Sequence, residues 1–205
     1  MSLPSRLLGA NPSIQVSTLL SGSLSTPSAK QAFVEPDGAE LLATQSVAGV
    51  STITFSNLNT YSAYDHLEIH AALSTTSGVY NRMRFNNDSS SMYNAKGTIA
   101  TSGGASNNDY PSGALNEAPL PRNADQATSA NSFTCFIAYF NSTTQHKGYL
   151  SYGGGFHYIA TNEPYVENMS GSWGRTDAIT SITIFMNSGT WLTGSKISLY
   201  GWKNT

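Results

Sequence analysis

Short runs in which apolar and polar residues alternate recur about every ten residues, with Gly, Asn and Pro between them, and this spacing constrains the fold more than any other feature of the chain. The clearest runs close the sequence. From Ala178 to Met186, Ile182, Ile184 and Met186 fall on one face and Thr183 and Phe185 on the other. From Thr193 to Trp202, Ile197 and Leu199 alternate with Lys196, Ser198 and Tyr200, and Asn187-Ser188-Gly189 supplies a turn, so the pattern predicts a terminal hairpin.

Upstream, Glu40 to Val47 and Val50 to Phe55 are expected to pair around Ala48-Gly49, and Tyr64 to Leu73 forms the next strand. In Gly78 to Phe85, Val79, Asn81, Met83 and Phe85 oppose Tyr80, Arg82 and Arg84. Ser132 to Asn141 is rather apolar on both faces, as suits a strand in the middle of a sandwich. Gly148 to Ser151 and Phe156 to Ala160 flank Gly153-Gly154-Gly155, which reads as a bulge or a place where backbones approach closely. Between Tyr93 and Ala130 turn formers accumulate, including Gly103-Gly104, Asn107-Asn108-Asp109, Pro119 and Pro121, and a long loop is expected there. With no amphipathic helix in sight, the reading is all-β: an antiparallel, jelly-roll-like β-sandwich over residues 35–205.

Residues 1–34 differ in kind. Pro4, Pro12, Pro27 and many serines break any long helix, yet Leu7, Leu8, Ile14, Val16, Leu19 and Leu20 make the segment too apolar for a solvated linker. An extended arm that adds to a partner's surface fits both observations, against a disordered tail or one folded back on its own domain. Only 11% of residues are charged and the net charge is -2, which argues against nucleic acid as a partner. Aromatic residues reach 11%, a balance that suits surfaces covered by other proteins as well as an ordinary Ser/Thr-rich β surface. Cys135, the only cysteine, reads as a small buried strand residue. Neither a membrane-spanning stretch nor the apolar core of a secretory signal is visible, so assembly in a cytoplasm without a membrane partner is expected.

Candidate chemistry is sparse. His66 and His70 flank Glu68, but on a strand residues four apart are separated by about 13 Å, too far to chelate one ion. Asn86-Asn87-Asp88-Ser89 offers oxygen atoms to a cation but lacks calcium-loop spacing and is explained by turn chemistry. A glycosidase needs two carboxylates about 5–9 Å apart; of the 12 acidic residues, Asp65 and Glu68 point to opposite faces of one strand, and Asp109, Glu117 and Asp125 fall in loops whose spacing the sequence does not give. No nucleophile elbow surrounds any serine, and no Lys-Ser or Lys-Thr follows the glycine triplet. The expectation is a protein without catalytic activity, cofactor or metal. Tyr158, Tyr165, Trp173, Trp191 and Trp202 could present aromatic faces to a glycan, although aromatics near strand ends more often pack in a core.

Several stretches resemble a family of tailed-bacteriophage virion proteins. They are the ending Ala178 to Phe185 with Gly194 to Gly201 ("AITSITIF" and "GSKISLYG"), Trp173 ahead of it, Tyr64 to Ile69, and Arg84-Phe85-Asn86-Asn87-Asp88 followed by Tyr93. The likeness covers roughly residues 61–93 and 171–202, with an N-terminal tail of similar character; over about 95–165 only strand texture is shared. It implies a jelly-roll-like structural protein of the virion, first of all a capsid decoration or cement protein whose partners are the major capsid protein or other virion proteins. In that role the sandwich forms a homo-oligomer, a trimer first of all, and the arm lies across capsid subunits. The alternative is a tail fibre or baseplate component that binds a host surface glycan, with Tyr158, Tyr165, Trp173 and Arg175 as contact candidates for a glycan or partner. The position of Trp173 in the shared pattern favours packing for that residue.

Overall fold

The alternation read from the sequence appears directly as alternating burial: Ile182, Ile184 and Met186 are buried while Thr183 and Phe185 are half-exposed, and Asn81, Met83 and Phe85 are buried opposite Tyr80, Arg82 and Arg84. The computed structural model describes residues 38–76, 80–101, 104–108, 114–122, 131–156 and 164–203. Within them the strands are β1 (Glu40–Val47), β2 (Thr52–Phe55), β3 (His66–Leu73), β4 (Tyr80–Phe85), β5 (Tyr93–Thr101) and β6 (Gly104–Asn108). They continue with β7 (Ala118–Arg122), β8 (Asn131–Ile137), β9 (Lys147–Phe156), β10 (Pro164–Trp173), β11 (Ile182–Met186) and β12 (Ser195–Trp202). The only helical segment among the described residues is a short 3-10 turn at Leu58–Tyr61.

An eight-stranded sheet, ordered β1-β12-β3-β8-β9-β10-β5-β6, packs on a four-stranded sheet ordered β2-β11-β4-β7, and all pairs are antiparallel. The pairs β1:β12, β2:β11, β3:β8 and β4:β7 describe one long hairpin rolled up on itself, which is the jelly-roll order. Two insertions extend the larger sheet. The pair β5-β6 follows β4, the pair β9-β10 follows β8, and β5 joins β10 along a nine-residue ladder. Leu67, Ile69, Cys135, Ile137 and Leu199 of one sheet share a core with Ile53, Phe55, Met83, Phe85, Ile182 and Ile184 of the other. Fully burying each large aliphatic or aromatic side chain contributes about 1.5–3 kcal/mol.

Three expectations are corrected. The last two strands are not a hairpin: β11 lies in the small sheet and β12 in the large one, joined by a crossover in which Trp191 is fully buried. Eight residues separate Met186 from Ser195, enough to cross the roughly 10 Å between packed sheets instead of reversing within one. β1 and β2 do not pair with each other either; the chain changes sheets near Gly49, whose φ of 69° favours glycine. The two crossings brace one another, since Gly49 N donates to the Trp191 carbonyl at 2.8 Å and Trp191 N to the Val50 carbonyl at 2.9 Å.

The third correction concerns 93–130, which holds three strands where a long loop was expected. In β5 the inward positions are Tyr93, Ala95, Gly97 and Ile99, a weak local signal made into a strand by its ladder with β10. Pro119 and Pro121 are tolerated in β7 because it is the edge of the small sheet, where a missing N–H breaks no ladder. In β8 the inward residues Phe133, Cys135 and Ile137 are buried, whereas the outward Thr134 and Phe136 are only half-buried. The glycine triplet is not a bulge. It lies inside β9 in unbroken register, and at Gly153 a Cβ would come within 2.7–2.8 Å of the Ser132 carbonyl oxygen, Phe133 Cβ and Pro121 Cβ.

Candidate interaction surfaces

The segments that stand out in the sequence meet at one end of the sandwich and bond to each other. Asn86, in the left-handed region at φ 52°, turns its amide toward the irregular segment just ahead of β11. Its Oδ1 accepts from Thr180 N (2.7 Å), Thr180 Oγ1 (3.1 Å) and Ser181 N (3.2 Å), while its Nδ2 donates to the Ala178 carbonyl at 2.8 Å. Asp88 accepts from Ser90 N at 2.9 Å, from the Ser90 hydroxyl at 2.5 Å and from Trp173 Nε1 at 2.8 Å, with Arg175 Nε at 3.5 Å. Partial burial works against its charged form, but the Ser90 and Trp173 bonds and the Arg175 charge outweigh it and hold its pKa at about 2. Phe85 N donates to the Tyr93 hydroxyl at 2.9 Å, and Trp173 packs 5.6 Å from Phe85 and 6.4 Å from Tyr93, centroid to centroid. Trp173 is therefore a buried tie between β10 and the β4–β5 turn. Arg175 and Thr180 are the exposed members of this group, at a shallow depression shared with Asn86, Asp88 and Asp177.

Tyr165 is also buried. Its hydroxyl donates to the Arg122 carbonyl at 2.5 Å, and burial, reinforced by the charge of Glu167, pushes its pKa upward. Glu167 is fully buried and accepts from Arg122 N at 2.9 Å, with Arg122 Nε at 3.5 Å. The Arg122 guanidinium lies 4.6 Å from the Tyr80 ring centroid and donates to the Tyr80 hydroxyl at 2.7 Å. This cluster fastens the end of β7 to β10 and leaves no aromatic face at Tyr165 for a ligand. Leu7, Leu8, Ile14, Val16, Leu19, Leu20 and Tyr158 lie outside the described residues.

Lys147 and Cys135 are held in the scaffold as well. Lys147 is fully buried, and its Nζ donates to the carbonyls of Ser142 (2.7 Å), Gln145 (2.6 Å) and Thr176 (3.0 Å). Burial lowers its pKa, against the opposing charge of Asp177. Cys135 is buried in β8 as expected, and burial, then the Glu68 charge, raises its thiol pKa. His66 and His70 both lie on the outer face of β3. His66 Nδ1 accepts from Tyr139 N at 3.0 Å, and Glu68 bridges Trp202 Nε1 (2.7 Å) and His70 Nε2 (2.9 Å). Among the described residues no three His, Cys, Asp or Glu side chains gather as metal ligands.

What the structure adds is the outer face of the eight-stranded sheet. Leu150, Tyr152, Phe156 and Val166 on β9 and β10, and Tyr139 after β8, are exposed there. Tyr139 is held at φ 50°, uncommon for so bulky a residue, with its ring edge-on to His66 at 4.7 Å. Tyr139 and Tyr152 were not singled out from the sequence; the outward parity of Tyr152, opposite to Tyr149 and Ser151, was the available signal. Comparisons with protein-family models, with curated proteins and with solved structures find no match.

Proposed function

We propose that this chain is a non-enzymatic structural protein of a tailed-phage virion, acting as a capsid decoration (cement) protein that binds and stabilises the head. The observation that carries this reading is one chain combining a sandwich whose described core, Val47 to Leu199, forms a single cluster, with a leading segment that keeps its own apolar residues, Leu7, Leu8, Ile14, Val16, Leu19 and Leu20. A solvated linker does not need those residues, whereas an arm laid along neighbouring subunits does. The phage-like stretches, the jelly-roll order and the low charge support the same reading. Attachment through an arm on each member of a homotrimer multiplies weak contacts, because every later contact is effectively intramolecular.

Adding purified protein to undecorated heads tests the proposal. The full chain should co-sediment with heads at a copy number in the hundreds per particle, as expected for one copy on each of many capsid sites. The same protein lacking residues 1–34 should not. Equal binding by the shortened chain rejects the role of the arm, and absence of binding by the full chain rejects head decoration.

A further inference from the structure

We propose that the outer face of the eight-stranded sheet binds a neutral oligosaccharide laid across the strands. Ser198, His70, Thr134, Tyr152, Asn168 and Thr98 are successive cross-strand partners on β12, β3, β8, β9, β10 and β5. They form one straight row perpendicular to the strands, about 24 Å long at the usual strand spacing. Each side chain donates or accepts hydrogen bonds, and none carries a permanent charge. Thr44 extends the row onto β1 through a 3.0 Å bond between its hydroxyl and that of Ser198.

The two neighbouring rows shape the strip. On one side Tyr200, Phe136 and Leu150 raise ring and aliphatic surface on β12, β8 and β9, and the Tyr200 ring lies 4.8 Å from that of His70. On the other side Ala72, Ser132 and Gly154 are partners on β3, β8 and β9, and these small residues leave a trough walled by His70, Thr134 and Tyr152. A pyranose offers the complement: C–H faces for rings and a periphery of hydroxyls for a line of neutral donors and acceptors.

Charge and polarity separate this occupant from the others. Across the three rows the cations Lys96 and Lys196 lie toward opposite margins and Glu68 is already bridged by Trp202 and His70, so a polyanion has little to pair with. Leu150, Tyr152 and Val166 are 52%, 53% and 55% exposed and lie next to one another, but the other members of the central row, Ser198, His70, Thr134, Asn168 and Thr98, are polar, so the exposed apolar surface is confined to one stretch of β9 and β10. A protein lying flat on it would bury a row of hydroxyls and an amide, each costly unless matched.

The inference does not depend on where in a virion the chain resides, and its test reads a different quantity. The full-length protein is applied to a printed array of neutral and acidic glycans, beside Tyr152→Ala, which removes one wall, and Ala72→Phe, which fills the trough while keeping every hydrogen-bonding group of the row. Both positions are exposed, and circular dichroism and melting temperature check that the fold is kept. Neutral glycans should bind, Tyr152→Ala should weaken binding roughly tenfold, and Ala72→Phe should remove it. Three results overturn the proposal: no neutral glycan retained, binding equal in folded variants, or self-association of the wild type that Tyr152→Ala or Ala72→Phe abolishes, which would assign the face to a second copy.

Discussion

Replacing Asp88 by Asn removes one charge and leaves the side-chain shape unchanged, so it tests whether the Asp88 network holds the end of the sandwich together. The carboxylate takes two bonds from Ser90, one from Trp173 and the charge of Arg175. An amide keeps one acceptor oxygen and turns an NH2 toward a donor it cannot pair with. The folded pKa is about 2 against an ordinary 3.8. That difference corresponds to about 2.5 kcal/mol, and with the side chain partly open to solvent roughly 2 kcal/mol is expected. Because the folded pKa is depressed, this stability is fully present above the unfolded pKa and is lost as pH falls through the folded one; about half is gone at pH 3. Urea unfolding followed by tryptophan fluorescence should therefore place Asp88→Asn about 2 kcal/mol below wild type at pH 6, a melting shift of about 4–8 °C for a domain of this size, with the gap halved at pH 3. Coincident curves at pH 6, or a gap that does not change between pH 6 and pH 3, would refute the reasoning.

Lys147→Met leaves three loop carbonyls without their donor and should cost roughly 3 kcal/mol, seen by calorimetry as a melting temperature lower by about 6–12 °C; an unchanged value would mean that the ammonium does not hold the loops at 142–145 and 176. Two glycines of β9 should respond oppositely to alanine. At Gly153 the new methyl meets backbone and Pro121 within 2.8 Å and should cost about 1–3 kcal/mol, while at Gly148 it meets nothing within 4 Å and should be neutral or stabilise by up to about 1 kcal/mol, so equal effects in denaturant titrations would contradict the close sheet approach.

For strands with clear alternation, which face is buried was legible in the sequence, and which sheet the strand joins was not. Ile182, Ile184 and Met186 announce an inward face by alternation alone, but alternation is the same whether the chain next reverses or crosses, and the length of the Met186–Ser195 connection allows both. In β5 and β7, Gly97, Pro119 and Pro121 carry little local strand preference, and their ladders are supplied by β10 and β4 from distant sequence. In β10, Glu167 lies on the buried face with Tyr165 and Met169 because Arg122, 45 residues away, neutralises it, a pairing no local pattern reveals. The segments that stand out in the sequence, Asn86, Asp88 and Trp173 above all, are those that tie loops together through several bonds each, so a resemblance carried by them speaks first of the scaffold. A binding row leaves a different trace. Taking one residue from each of six strands, it has no motif in the chain and exists only once register is set. Partner chemistry in a sheet protein of this kind is therefore best sought across the strands, where neighbouring residues owe nothing to sequence proximity.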